Sequence, residues 1–285
     1  MYFSYLNSIS YATQIIFVSL LALALGSFAS VVTFRIRKKD SEEDLKNLSQ
    51  KTSKKIVFSR SKCVNCGIVL KVKNLIPIFS WIWQLGKCSN CKAKISIRYP
   101  IIEVVFLLAF LVVYYALDQV FDWKMLIYFL MIGLMIVMCI FDLEQYFIPN
   151  FTQYLITALV SILLIIEGGF AAPLHALFPA FCYLGFGLAI HAFFYFATSI
   201  KGIGTDDFKF FFIAGLLLGM SNLLLFMILS GLFGSVIGAI WQKIKQDDTF
   251  PFAPAICLSS MTCLLLEKGF DPVDVFGSIL FFQNF

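Results

Sequence analysis

Long stretches without a charged side chain occupy most of this sequence. A helix needs about 20 apolar residues to cross the hydrocarbon core of a bilayer. Of the 285 residues, 60% are hydrophobic and 14% are charged, whereas soluble domains are about 45–50% apolar and about 25% charged, which excludes a soluble globular protein. We therefore predict an all-α, polytopic membrane helix bundle with about eight spans, or seven if the turn at Ser221-Asn222 is misplaced. The predicted spans are residues 12–34, 100–117, 125–141, 151–166, 174–200, 210–220, 223–241 and 252–266.

The charged residues are concentrated in one segment. The formal net charge is +5, but residues 35–98 contain sixteen Lys or Arg and four Asp or Glu, a local balance of +12. Basic residues close to membrane spans remain in the cytoplasm, so this segment is predicted to be cytoplasmic and the N-terminus to lie outside. Its basic side chains are expected to contact anionic membrane lipids, and no nucleic-acid partner is predicted. Three parts follow: a first span (1–34), a basic loop (35–98) and a membrane helix bundle (99–285).

Four cysteines of the basic loop form two CxxC pairs. Cys63 and Cys66 are the first pair, and Cys88 and Cys91 follow after 21 intervening residues. Four thiolates in this pattern can hold one tetrahedral zinc ion, and disulfides are rare in a reducing compartment. We predict a structural zinc site, with two disulfides or four free thiols as the alternatives. The remaining cysteines lie in apolar segments and are predicted to be core residues: Cys139, Cys182, Cys257 and Cys263.

Carboxylates occur near the ends of several predicted spans. Charged groups at the membrane are costly and commonly mark function, although any one of them alone could be a solvated helix end. Alternation of the spans brings Asp142, after the third span, and Asp207, before the sixth, to the same cytoplasmic face. Two carboxylates that share a site do not both ionise readily, so the pair can supply one acid and one base around a water molecule. This is the arrangement of an aspartic protease.

Taken together, these motifs resemble those of the bacterial prepilin peptidase (type IV leader peptidase) family, which are aspartic proteases of the inner membrane. The resemblance runs from residue 26 to about residue 266, and five motifs occur in the family's order. The matching segments are GSFASVVTFRI (26–36), SRSKCVNCG, IPIFSW, LGKCSNC and ISIRYPIIE (within 59–103), FDLEQYFIPN (141–150), GIGTDDFK (202–209) and PFAP (251–254).

The resemblance implies catalytic roles for two aspartates. Asp142 matches the family's first catalytic aspartate, and Asp207 matches the second, in a motif that is usually G-x-G-x-G-D-F-K. This chain has Asp206 in place of the glycine that precedes the aspartate, so Asp206 is an alternative. We favour Asp207 because the Phe-Lys that follows it keeps the register of the motif. A second departure is Ser30, where the family commonly has Asn.

The resemblance also implies two reactions. The first removes the basic leader from prepilin or pseudopilin precursors at the cytoplasmic membrane face, and the second methylates the new N-terminus with S-adenosylmethionine. The family's methyl transfer is associated with the four-cysteine loop, in which we note Gly86 as a candidate residue. A peptidase without methyl transfer is the alternative. A transporter and a zinc-stabilised scaffold are more distant rivals.

Overall fold

The computed structural model describes residues 11–41, 60–117, 121–198, 204–245 and 250–269. Within these ranges the predicted all-α class is confirmed, and the β pairing that is present consists of two isolated bridges, Lys62 with Val69 and Lys87 with Lys94. A short 3₁₀ turn covers Val72–Asn74. The helices are α1 (Tyr11–Ser41), α2 (Phe79–Trp83), α3 (Arg98–Ala116), α4 (Trp123–Gln145), α5 (Asn150–Gly168), α6 (Ala172–Thr198), α7 (Thr205–Leu218), α8 (Leu223–Lys245) and α9 (Ala253–Gly269).

Each of the eight predicted spans corresponds to a helix, but the helices differ in length. In the part of the chain that the structure describes, six are long and apolar enough to cross a membrane: α1, α3, α4, α5, α6 and α8. The sixth and eighth predicted spans correspond to α7 and α9, which have 14 and 17 residues. Helix α7 is short because Gly219, at φ +66°, ends it. The predicted turn at Ser221-Asn222 follows.

The chain divides into two compact units, Met1–Val112 and Val113–Phe285. In the first unit, α1 and the start of α3 approach each other closely at Gly26. A Cβ atom there would lie 3.0 Å from the Cβ of Phe106, so a larger residue would push the helices apart. Arg98 joins the same two helices, because its guanidinium donates to the carbonyl of Ser30 at 3.0 Å and to Oγ1 of Thr33 at 2.7 Å.

The second unit is a helix bundle in which α5 and α9 each contact both α4 and α7. Helix α4 packs against α5 and α9, and helix α7 packs against α5, α6 and α9. Helices α6 and α7 approach each other closely at Gly215, where a Cβ atom would lie 2.6 Å from the Cα of Ala180. Because α4 and α7 pack against the same two helices, the C-terminal end of α4 and the N-terminal end of α7 lie near each other.

Candidate active site and metal centre

Asp142 lies in the last turn of α4 and is 7% exposed. Its Oδ2 atom accepts a hydrogen bond of 2.8 Å from the backbone N–H of Ala253, the first residue of α9. The first N–H groups of a helix have no partner within the helix and carry partial positive charge. The N-terminus of α9, which begins in the PFAP motif, therefore holds this carboxylate in place.

Asp207 lies in the first turn of α7 and is also 7% exposed. Its Oδ2 atom accepts a hydrogen bond of 3.0 Å from the N–H of Gly204, which precedes the helix. Burial, and then the negative charge of Asp142, raise the pKa of Asp207 from 3.8 to about 7. The two carboxylates thus interact electrostatically, and near neutral pH one proton is readily retained by the pair.

Asp206 has different surroundings from its neighbour. Its carboxylate forms an ion pair of 2.6 Å with Lys209, and its side chain is 27% exposed. The same Lys209 ammonium donates to Oδ1 of Asn150 at 2.7 Å, which connects the GIGTDDFK motif to the end of the FDLEQYFIPN motif. The structure therefore buries Asp207 close to Asp142 and leaves Asp206 in a half-exposed ion pair. Gly202, the first glycine of the motif, lies outside the described residues.

Gln153 is a buried residue of this site that sequence reasoning missed. It is 2% exposed, and its Nε2 donates to the carbonyl of Asp206 at 2.8 Å. Its Oε1 atom has no hydrogen-bond partner among the described residues. Gln153 is not titratable and is not in a motif that we singled out. The only feature that could have identified Gln153 as a site residue is its position one turn after the start of α5.

The four cysteine sulfurs of the basic loop lie together. All four Sγ atoms are within 4.8 Å of one another, so the loop can hold a metal ion such as zinc. Tetrahedral zinc with bonds of about 2.3 Å separates its sulfur ligands by about 3.8 Å, which matches the 3.8 Å between Cys63 and Cys91. No disulfide joins any of these four cysteines, and their single cluster favours a metal site over two separate disulfides.

The two CxxC pairs adopt closely similar turns. Asn65 donates to the sulfur of Cys91, and Asn90 donates to the sulfur of Cys66, both at 3.7 Å. Each asparagine lies between the cysteines of its own pair and bonds to the other pair. A hydrogen bond from the backbone N–H of Ala93, followed by that from Asn65, lowers the pKa of Cys91 to about 6. The thiol of Cys91 is therefore readily ionised for metal ligation.

Gly86 lies in the first unit, just before the second CxxC pair. It has φ +64°, a conformation that L side chains rarely adopt, and a Cβ atom there would lie 2.9 Å from the indole ring of Trp81. A side chain at residue 86 would thus displace this tryptophan. Ser30 is 1% exposed, and its hydroxyl donates to the carbonyl of Ser27, so serine is fully accommodated in α1.

Replacing Gly204 with Ala is expected to lower the peptidase activity that the motif resemblance implies by about 10- to 100-fold. The new Cβ would lie 3.1 Å from Oδ2 of Asp207, and a small misplacement of a reacting group has an effect of this size. The backbone at residue 204, with φ −73°, accepts alanine without strain. Initial rates of cleavage of a substrate of the resembled family measure the effect.

The matched control is Gly185→Ala in α6, where a Cβ atom meets nothing within 4 Å. This variant should cleave at the wild-type rate. Equal rates for Gly204→Ala and the wild type would show that residue 204 has no influence on Asp207.

A buried, interacting aspartate pair in a bundle of membrane-spanning helices is the architecture of a membrane aspartic peptidase. Residues 20–117 match the bacterial peptidase A24 N-terminal domain, and residues 129–239 match the type IV leader peptidase family. The chain belongs to the type IV leader peptidase family, which confirms the resemblance noted in its motifs.

Similar proteins include several that carry the description prepilin leader peptidase/N-methyltransferase. The one from Pseudomonas aeruginosa is 30% identical over 261 residues, which are 86% of this chain and 88% of the relative. That from Pectobacterium carotovorum subsp. carotovorum is 28% identical and covers 88% of this chain and 92% of the relative. That from Legionella pneumophila is 28% identical, with 87% and 89% covered. No solved structure matches the chain significantly.

Proposed function

We propose that this protein is a bifunctional membrane enzyme. It cleaves the basic leader from prepilin-like precursors, namely type IV pilins or type II secretion pseudopilins, and then methylates the exposed N-terminus with S-adenosylmethionine as donor. The observation that carries the peptidase activity is the buried pair of Asp142 and Asp207, each held by a backbone N–H group. Methyl transfer is supported by the four-cysteine loop and by the description that the relatives share.

In the proposed cleavage the two aspartates have different roles. Asp207, whose pKa is raised to about 7, retains the proton and donates a hydrogen bond to the scissile carbonyl. Asp142, which is held by the backbone N–H of Ala253 at the N-terminus of α9, accepts a proton from the attacking water. The tetrahedral intermediate then collapses, with protonation of the leaving amine. No covalent acyl-enzyme forms.

Zinc bound by Cys63, Cys66, Cys88 and Cys91 would have a structural role. A closed four-thiolate site leaves no position for substrate and contributes folding free energy rather than chemistry. In the methylation, the lone pair of the new N-terminal amine attacks the methyl carbon of the donor. The carbon–sulfur bond breaks, its electron pair remains on sulfur, and the amine releases its proton to solvent.

The proposed location is the bacterial inner membrane, with the N-terminus outside. The four-cysteine loop and both aspartates then face the cytoplasm, where the basic leader of a precursor remains while its apolar helix enters the bilayer. This orientation is supported by the +12 balance of residues 35–98, because basic segments next to spans stay on the cytoplasmic side.

The deciding experiment incubates membranes containing the protein with a prepilin and S-adenosylmethionine labelled in its methyl group. We expect a shortened product that carries the label on its N-terminus. Cleavage without label would favour the peptidase-only alternative and remove the methyl-transfer half of the proposal. Absence of both cleavage and label would contradict the proposed function, since a transporter or a scaffold would give that result.

A further inference from the structure

The first unit contains a cavity of about 1000 Å³. Helix α1, the four-cysteine loop and the start of α3 form its walls, and none of the peptidase aspartates lines it. Ligand-binding cavities are commonly about 300–1,000 Å³ and combine apolar walls with a few polar groups. We infer that this cavity binds the methyl donor, an adenine nucleoside joined through a sulfonium to an amino acid. The inference rests on the proposed methyl-transfer activity.

Aromatic rings form part of the cavity wall. Trp81 lines the cavity, and its indole N–H donates to the carbonyl of Ile95 at 3.2 Å. A Cβ atom at Gly86 would lie 2.9 Å from the same indole, so the backbone at residue 86 packs closely against the ring and restricts its orientation. Phe34 and Tyr99 add a second aromatic surface, with ring centroids 6.2 Å apart. Such rings can stack on an adenine and can attract a sulfonium through their π faces.

One acidic side chain, Glu103, also lines the cavity. It is 6% exposed, and its Oε2 atom accepts a hydrogen bond of 2.7 Å from the N–H of Ile78. Ile78 has φ +60° and ψ −56°, and Phe79 N–H bonds to the carbonyl of Pro77, which is a strained γ-turn. Strain of this kind is concentrated at functional sites. Glu103 therefore holds a strained turn against the cavity and places there a carboxyl group with which a cationic ligand can pair.

Basic side chains line other parts of the same cavity, namely Arg35, Arg60, Lys62, Lys94 and Arg98. They provide positive charge for the carboxylate of the donor's amino-acid end. A simple anion, or a lipid phosphate, would require only this basic lining. The additional buried carboxylate and the fixed aromatic ring favour a ligand that is at once aromatic, cationic and anionic, as the proposed donor is.

The test compares Trp81→Ala with the matched control Trp83→Ala. Trp83 lies on the same short helix, is 89% exposed and does not line the cavity. Binding of S-adenosylmethionine to the purified full-length protein is measured by equilibrium dialysis, together with zinc content as a measure of loop folding. We expect Trp81→Ala to weaken binding about tenfold or more, the effect of losing one base–aromatic stack. Trp83→Ala should bind like the wild type.

The possible results distinguish failure of the proposed donor site from failure of the proposed methyl-transfer activity. If the wild type methylates prepilin and Trp81→Ala binds the donor as tightly as Trp83→Ala does, the cavity is not the donor site, although the proposed function stands. If the wild type neither binds the donor nor transfers methyl, the methyl-transfer proposal itself fails. If the Trp81→Ala protein loses its zinc, the nearly isosteric variant Glu103→Gln is tested instead. Unchanged donor affinity in that variant would then overturn the inference.

Discussion

Asp207→Asn is expected to lower leader cleavage about 1,000-fold, within the range that general acid–base groups contribute. The amide cannot supply the proton that the buried carboxylic acid carries. Asp142→Asn should have a similar effect, because the base is then missing. Cleavage of a prepilin substrate in membranes measures both, and the zinc content of both variants should equal that of the wild type.

Thermal stability distinguishes loss of chemistry from loss of fold in Asp207→Asn. The pKa of Asp207 is raised from 3.8 to about 7, so the folded state binds more protons than the unfolded state between these pH values. Stability therefore falls as the pH rises through this window, and the penalty is fully present above it. Asn cannot ionise, so the melting temperature of the variant in detergent should exceed that of the wild type at pH 8, with little difference near pH 4.

The matched control for the adjacent carboxylate is Asp206→Asn. Its ion pair with Lys209 is half-exposed, and such pairs contribute only about 0–1 kcal/mol. Cleavage should therefore stay within about threefold of the wild type. If Asp206→Asn abolished cleavage while Asp207→Asn did not, the second catalytic role would belong to Asp206.

Cys88→Ser is expected to abolish zinc binding and, with it, methyl transfer. Structural zinc contributes about 10–16 kcal/mol to the folding of zinc-finger peptides, and the 3% exposed Cys88 is the most buried of the four ligands. Leader cleavage should persist, because both aspartates and their hydrogen-bond partners belong to the second unit. Zinc content, limited proteolysis of the loop and label incorporation measure the three effects.

Cys182→Ser serves as the control for the cysteine chemistry. Cys182 is a half-buried thiol in α6 and lies outside the four-cysteine cluster. This variant should keep its zinc and should methylate like the wild type. A Cys88→Ser protein that retained a full equivalent of zinc and transferred methyl normally would rule out the structural metal role.

The spans and the four-cysteine cluster could be predicted because each depends on a pattern of residues close together in the sequence. Each span that we predicted from apolar stretches and turn residues corresponds to a helix, and the Ser221-Asn222 turn lies where expected. Helix α7 is shorter than a span because its limits depend on backbone conformation at Gly204 and Gly219. Hydropathy does not report that conformation, although the sixth predicted span, residues 210–220, was already the shortest of the eight.

Which of Asp206 and Asp207 is buried depends on the direction in which each residue points around α7. Adjacent helical residues point about 100° apart, so two neighbouring aspartates cannot share one environment. The start of α7 at Thr205 turns Asp207 toward the interior and Asp206 toward Lys209. The motif register favoured the same residue, but it contains no information about burial.

The sequence by itself determined the helical membrane class and the four-cysteine cluster, because apolar length and ligand spacing depend on residues close together in the chain. For Asp142 and Asp207 it predicted only a common face of the membrane. Only the tertiary structure decided which groups complete the sites. The N–H of Ala253 reaches Asp142 across 111 positions, and Gln153 reaches the carbonyl of Asp206 across 53. Helix packing brings these groups together, and an ordinary backbone N–H or amide has no signature in sequence that reveals its distant partner.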